Sequence, residues 1–245
     1  MVLTNKLFEF NMLYNKKFFK NLQEGSLRSA QQVVPIVIEF LNIKSVVDFG
    51  CGTGAWLKTF KDFGVHTIVG YDGRWVKRED LLIDSTSFFE VNFDNFMPTS
   101  EKFDLVVSLE VGEHLHEKTA DAFVELLTKS SDYVLFSAAI PFQGGTGHIN
   151  EQWPEYWCEK FMKQGYEPID CIRPIIWDNR DVSYWFKQNI LLFVNKNVEL
   201  AHPKLKEYKQ YTNPRFLSKV HPDFYTKMAS KFARLKKIIK FRFFG

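Results

Sequence analysis

VVDFGCGTGAW, residues 46–56, decides the fold class. Val46, Val47, Asp48 and Phe49 read as a short buried strand that Gly50 stops, and the amphipathic run Trp56–Phe63 then opens a helix. Gly50, Gly52 and Gly54 stand between the two. Glycines at a strand-to-helix turn let the backbone bend tightly and approach a ligand, while N–H groups at the helix start face it. The spacing is GxGxG, whereas a dinucleotide oxidoreductase would need GxGxxG; a phosphate or nicotinamide site is therefore the weaker reading. Further on, Asp72 ends the next strand in IVGYDG, where a carboxylate can accept hydrogen bonds from ribose hydroxyls.

Outward from this stretch, strand signals recur at Thr67–Tyr71, Phe103–Leu109, Tyr133–Ala138 and Ile190–Val194. Helical patterns lie between them at Lys118–Lys129 and Trp153–Gln164, and Ser29–Leu41 forms a helix leading into the first strand. Alternation of this kind, with near-continuously apolar central strands such as FDLVVSL, predicts an α/β fold: a mostly parallel sheet with helices on both faces. Ligands of such sheets sit beyond the carboxyl ends of the strands, so the residues after Phe49, Tyr71, Leu109 and Ala138 carry the functional interest.

The chain of 245 residues is 45% hydrophobic and 25% charged, which excludes a disordered or fibrous protein. Cys51, Cys158 and Cys171 are far apart and lack CxxC spacing, so neither a disulfide scaffold nor a zinc finger is expected; a reducing cytoplasm fits. No apolar run approaches the ~20 residues that cross a bilayer, and the first residues lack the pattern of a signal peptide. The net charge of +3 hides an asymmetry. Residues 201–245 hold twelve Lys and Arg against Glu207 and Asp223, or +10, which leaves −7 for residues 1–200. Three parts are predicted: a helical extension over residues 1–28, a ligand-binding sheet domain over 29–197, and a basic helical tail over 198–245. The polar stretch Asn195–Asn213 marks the last boundary, and Asp223–Phe244 reads as a basic amphipathic helix with Phe224, Met228, Phe232, Leu235 and Ile239 along one stripe. Such a tail could meet nucleic acid, an anionic membrane surface, a second copy of the chain or an acidic partner, or be a solvated helix. Its deletion after Asn213 is expected to leave ligand binding intact.

VVDFGCGTG and the later Asp72 resemble the signature of class I S-adenosylmethionine-dependent methyltransferases, over roughly Ser29 to Asn195. The resemblance implies a Rossmann-like sheet and S-adenosylmethionine as methyl donor. It also implies that Asp48, Gly50, Cys51 and Gly52 contact the methionine part and ribose, with Asp72 and Gly73 at the ribose and Leu109 at the end of the central strand. Beside adenine, the family usually places Asp followed by an apolar residue; VNFDNF supplies Asn92 and Phe93 there, or Asp94 in a register shifted by two.

After FDLVVSL comes Glu110-Val-Gly-Glu113-His114-Leu-His116. Spacings of three and four put Glu110, Glu113 and His114 on one face if a helix begins there, whereas His116 points away. Two carboxylates and an imidazole suit a divalent cation such as Mg²⁺, Mn²⁺ or Zn²⁺, and His148, after the glycine-rich Pro141–Gly147, could be the fourth ligand. The same set is similar to the metal site of 2′-O-methyltransferases of small-RNA 3′ ends, which implies Glu110, Glu113, His114 and His148 as ligands. Without a metal, His114 or His148 would act as general base or His114 would only pack. In the loop beyond, Asn150 or Glu151 could cap the helix that Pro154 opens. Trp153, Tyr156 and Trp157 could instead wall an acceptor site, with Asn150 and Gln152 reading hydroxyls. Trp177, Tyr184 and Trp185 lie in an insertion that either covers that site or seals an edge.

GGTGHINEQWPEYW resembles a stretch in methyltransferases encoded with bacterial surface-polysaccharide genes. This implies O-methylation of a small hydroxylated acceptor, a sugar nucleotide or surface-glycan precursor. The acidic body disfavours a nucleic-acid partner.

Overall fold

The structure is a computed structural model that describes residues 16–93 and 101–232, with side chains from residue 23 onward. Its first helix, α1 (Lys16–Phe40), is continuous through residue 28, so the predicted boundary between an extension and the domain falls inside one helix. Apolar residues at helical spacing explain the continuity: Ala30, Val33, Val34, Val37 and Phe40 are all buried in one stripe.

Seven strands form one sheet in the order β3-β2-β1-β4-β5-β7-β6. They are β1 (Ser45–Phe49), β2 (Thr67–Asp72), β3 (Phe88–Glu90), β4 (Leu105–Leu109), β5 (Tyr133–Ser137), β6 (Tyr166–Ile169) and β7 (Leu191–Asn195). β1 to β5 are parallel, and β7 is antiparallel to both β5 and β6. The strand order reverses at β1 and β4, so the loops leaving these neighbours diverge to opposite faces and open a crevice at their carboxyl ends. Between strands run α2 (Ala55–Asp62), α3 (Ala120–Ser130), α4 (Pro154–Lys163), the short α5 (Arg173–Ile176) and α6 (Tyr184–Asn189), and then α7 (Pro203–Tyr211). Buried residues divide into two apolar layers, one per sheet face: Val46, Leu57, Phe60 and Leu105 belong to the first, Val47, Val106, Leu127 and Phe193 to the second. Successive strand residues alternate between the layers, as the pleat requires.

The basic tail is built into this body. Leu205 of α7 is buried in the first layer, and Leu217 in the second. Arg173, fully buried, holds Asp170 through Nε and Nη2 at 2.8 Å each and donates from Nη1 to the carbonyls of Gln188 and Leu217. His221 is also buried, accepting a bond at Nδ1 from Asp223 N–H and facing the Trp177 carbonyl at 2.9 Å through Nε2. Residues 222–232 are helical, with Phe224 buried and stacked on Tyr184 while Phe232 is exposed. Leu235 and Ile239 lie outside the described residues. The boundary expected near residue 198 therefore separates charge, not structure. Removing residues 214–245 is expected to lower Tm by roughly 5–10 °C, because burying Leu217 contributes about 2 kcal/mol and Arg173 would lose an acceptor. Calorimetry of the truncated chain checks this, and an unchanged Tm would contradict it. Among the described residues, no helix is long and apolar enough to cross a membrane.

Candidate active site

The loop after β1 is pinned to the end of β2. Gly50 and Cys51 both donate N–H to the Tyr71 carbonyl, at 2.7 and 3.1 Å. Gly50 has φ of +90°, and a Cβ there would lie 2.2 Å from Val111 Cγ2, so the glycine brings the β1 and β4 loops into contact. Gly54, with φ of +84°, starts α2. Nothing lies within 4 Å of where Gly52 would carry a Cβ, so this turn of the loop is open.

Asp72 organises the second loop. Its Oδ2 accepts the N–H of Gly52 at 2.6 Å and its Oδ1 that of Gly73 at 2.6 Å. The indole of Trp75 also reaches it, and the Trp75 ring lies against the α-carbon of Gly73 while more than half exposed. Burial holds the Asp72 carboxyl above its ordinary range, partly offset by these N–H bonds. Asp48, buried at the end of β1, is held well above it by burial and then by Asp72. The Cys51 thiol is likewise raised by burial and by both acids, so it is an unreactive packing group. A folded pKa above the unfolded one means that Asp48 favours the fold below pH ~3.8, and this contribution is lost as the pH rises through its folded pKa. Asp48→Asn is therefore expected to raise the Tm of the ligand-free protein at pH 7 by a few degrees, a gain that closes below about pH 4 in thermal melts.

Of the residues expected beside adenine, Asn92 is exposed and Phe93 half-buried, two and three positions beyond β3, where Val91 N–H bonds the Asp72 carbonyl. Phe93 packs edge-on to Phe49 and Phe123. Asp94 lies outside the described residues. Leu109 is buried at the end of β4.

The segment after β4 differs from the expected helix. Glu110 has φ of +57°, and a single 3-10 turn over Gly112–His114 follows. The turn still brings three of the four expected ligands together: ligand atoms of Glu113, His114 and His148 lie within 4.8 Å of one another. Glu113 is fully buried, and its carboxyl has no close hydrogen-bond donor; the N–H groups of Glu113 and Ala139 face it only loosely. Burial, then the neighbouring Glu110, pushes it well above the usual range, and these two amides offset the shift only in part. A buried carboxyl so weakly satisfied, beside two imidazoles, fits a divalent cation. His114 Nδ1 faces the Gly147 carbonyl at 3.3 Å; a carbonyl only accepts, so Nδ1 carries the proton and Nε2 the lone pair. His114 is exposed at the surface; partial desolvation of its ring, then His148, lowers its pKa and favours this neutral form. Glu110 is the correction to the expected set. Its carboxylate is held by Gln143 Nε2 at 2.8 Å and Asn189 Nδ2 at 3.1 Å, beside the three-residue cluster but not part of it. His116 is exposed and is not part of the cluster.

The loop after β5 also departs from the capping reading. Trp153 precedes α4 with no side-chain cap, and Glu151 instead bonds the backbone of Phe142 and Gly144 within its own loop. Trp157 is core, packed on Phe136 and the α-carbon of Gly112; Trp153 is exposed and Tyr156 half-buried. Gln143, Asn189, Glu151 and Trp75 are the participants that the sequence reading did not assign. A surface hollow of about 500 Å³ lined by Glu167, Leu200 and Lys206 lies at the opposite ends of the strands and plays no part here.

A seven-stranded 3-2-1-4-5-7-6 sheet with a glycine turn after β1 and an acid after β2 defines the class I S-adenosylmethionine-dependent methyltransferase fold. A family model described as a methyltransferase domain matches residues 15–170, and the chain belongs to that family. Among solved structures, the methyltransferase domain of the bacterial CtHen1-C is 21% identical, with a TM-score of 0.50, covering 68% of this chain and 97% of that one. The plantazolicin methyltransferase BpumL in complex with SAH is 15% identical, with a TM-score of 0.52, covering 74% and 88%. Magnesium protoporphyrin IX methyltransferase from Synechocystis PCC 6803 with bound SAM is 17% identical, with a TM-score of 0.50, covering 75% and 86%. A search of curated proteins finds no match. The protein is an S-adenosylmethionine-dependent methyltransferase.

Proposed function

We propose that the protein methylates a hydroxyl group of a small acceptor carrying adjacent hydroxyls, a sugar nucleotide or surface-glycan precursor. The observation that carries the reading is the cluster of Glu113, His114 and His148 beside the glycine loop, to which Val111 is packed. Gly52 and Asp72 are the groups that would hold the donor, the Asp72 carboxylate accepting from its ribose hydroxyls. The sulfonium is already an activated methyl donor, so the enzyme has to align an in-line attack and remove the acceptor proton.

A divalent cation held by Glu113, His114 and His148 would lower the pKa of an acceptor hydroxyl. In the reaction the acceptor oxygen forms a bond to the methyl carbon, the carbon–sulfur bond breaks toward sulfur, and the hydroxyl proton leaves to an imidazole or water. Exposed Trp153 offers the kind of flat apolar face that a sugar ring packs against.

A panel of sugar nucleotides incubated with S-adenosylmethionine and Mn²⁺, scored by mass for a gain of one methyl group, tests the proposal. Metal-dependent methylation of members with vicinal hydroxyls is expected; methylation confined to nitrogen or carbon acceptors overturns it. An RNA 3′ end offers the same vicinal hydroxyls, but the −7 charge of residues 1–200 disfavours a polyanion. Salt-dependent retention of RNA on a filter would favour it instead.

A further inference from the structure

We propose that Glu151 is a positioning residue that fixes the orientation and tautomer of His148, so that Nε2 is presented to Glu113 and His114. The inference rests on the reading of His148 as a member of the reactive cluster. Its own support is the hydrogen-bond pattern of the loop.

Glu151 Oε1 accepts the N–H of Gly144 at 2.7 Å and lies 2.8 Å from His148 Nδ1, while Oε2 accepts the N–H of Phe142 at 2.8 Å. A carboxylate that already accepts two backbone N–H bonds acts as acceptor toward the ring as well, which places the proton on Nδ1. Nε2 then keeps its lone pair, on the side of the ring where Glu113 Oε1 lies at 3.9 Å. That separation is too long for a direct hydrogen bond. Orientation by an outer carboxylate is the usual means of fixing a histidine for metal or proton chemistry.

The glycines of the loop complete the device. A Cβ on Gly145 would sit 2.1 Å from His148 Nε2, so the imidazole rests directly on that α-carbon. Gly144 and Gly147 have φ of +68° and +79°, and Phe142, also at positive φ (69°), is held by the Glu151 bond although its side chain is 80% exposed. The carbonyl of Glu113 accepts from the N–H of Ile149 and Asn150, tying the loop to the turn that bears Glu113 and His114. Glu151 thus ties the loop to the ring through a side chain.

Two measurements test this on the full chain. Long-range nitrogen–proton NMR of the metal-free protein is expected to show His148 with its proton on Nδ1; a proton on Nε2 overturns the proposal, whatever the protein does with metal. Mn²⁺ titration followed by electron paramagnetic resonance is expected to give an affinity about 10- to 100-fold weaker for Glu151→Gln than for the parent, with S-adenosylhomocysteine affinity unchanged. Where the parent binds Mn²⁺, equal affinity of the two proteins overturns it. A proton on Nδ1 in a parent that binds no Mn²⁺ would uphold the positioning role and remove the metal from the proposed function, so the two failures are distinguishable.

Discussion

Asp72→Ala is expected to weaken binding of S-adenosylhomocysteine by about 100-fold in isothermal titration. Asp72, at the carboxyl end of β2, has both oxygens on backbone amides of the two loops, Gly52 on one side and Gly73 on the other. The carboxylate keeps one free acceptor position, and the position that the Trp75 indole takes without ligand would pass to a second ribose hydroxyl; two charge-assisted bonds at about 1.5 kcal/mol apiece correspond to that factor. The substitution also frees two amides, so the loop loses order as the ligand loses its anchor. Affinity within threefold of the parent would move the ribose elsewhere.

His148→Ala is expected to act in the opposite way, lowering methyl transfer by about 10²- to 10⁴-fold while S-adenosylhomocysteine affinity stays within about twofold. His148 belongs to the loop after β5 and joins Glu113 and His114, whereas Asp72 holds the amides of Gly52 and Gly73. A loss of cofactor affinity comparable to the loss of rate would place His148 in the donor pocket instead. The split between the two variants separates donor binding from acceptor activation, which no single substitution does.

The fold was legible because its decisive signals are local. GxGxG between an apolar tetrad and an amphipathic helix has few structural solutions, and FDLVVSL can only be a strand buried on both faces. β3 and β6 were not read, since FFE and YEPI are too short for periodicity to show. The tail misled for a different reason. Its lysines and arginines dominate the composition, whereas its attachment depends on scattered residues such as Leu205, Leu217, His221 and Phe224; the Trp177 and Tyr184 partners of the last two lie 40 or more positions away.

At the site, the residue types were legible and their directions were not. Glu110, Glu113 and His114 have helical spacing, but the positive φ at Glu110 turns its carboxylate toward Gln143 and Asn189. Nothing in the local sequence announces that turn; it is set by β5, whose Ser137 accepts the Glu110 N–H through both its carbonyl and its hydroxyl. Glu151 was read as a helix cap because it stands just before Pro154. Its true partners lie upstream, in a loop whose three positive-φ residues fold it back on itself.

An anomalous difference map of crystals grown with S-adenosylhomocysteine and Mn²⁺ bears most directly on how this enzyme works. One manganese peak bounded by Glu113, His114 and His148, with the ribose on Asp72 and the sulfur directed toward the metal, is the expected result. A homocysteine sulfur pointing away from those three side chains, or manganese bound only elsewhere, would contradict it.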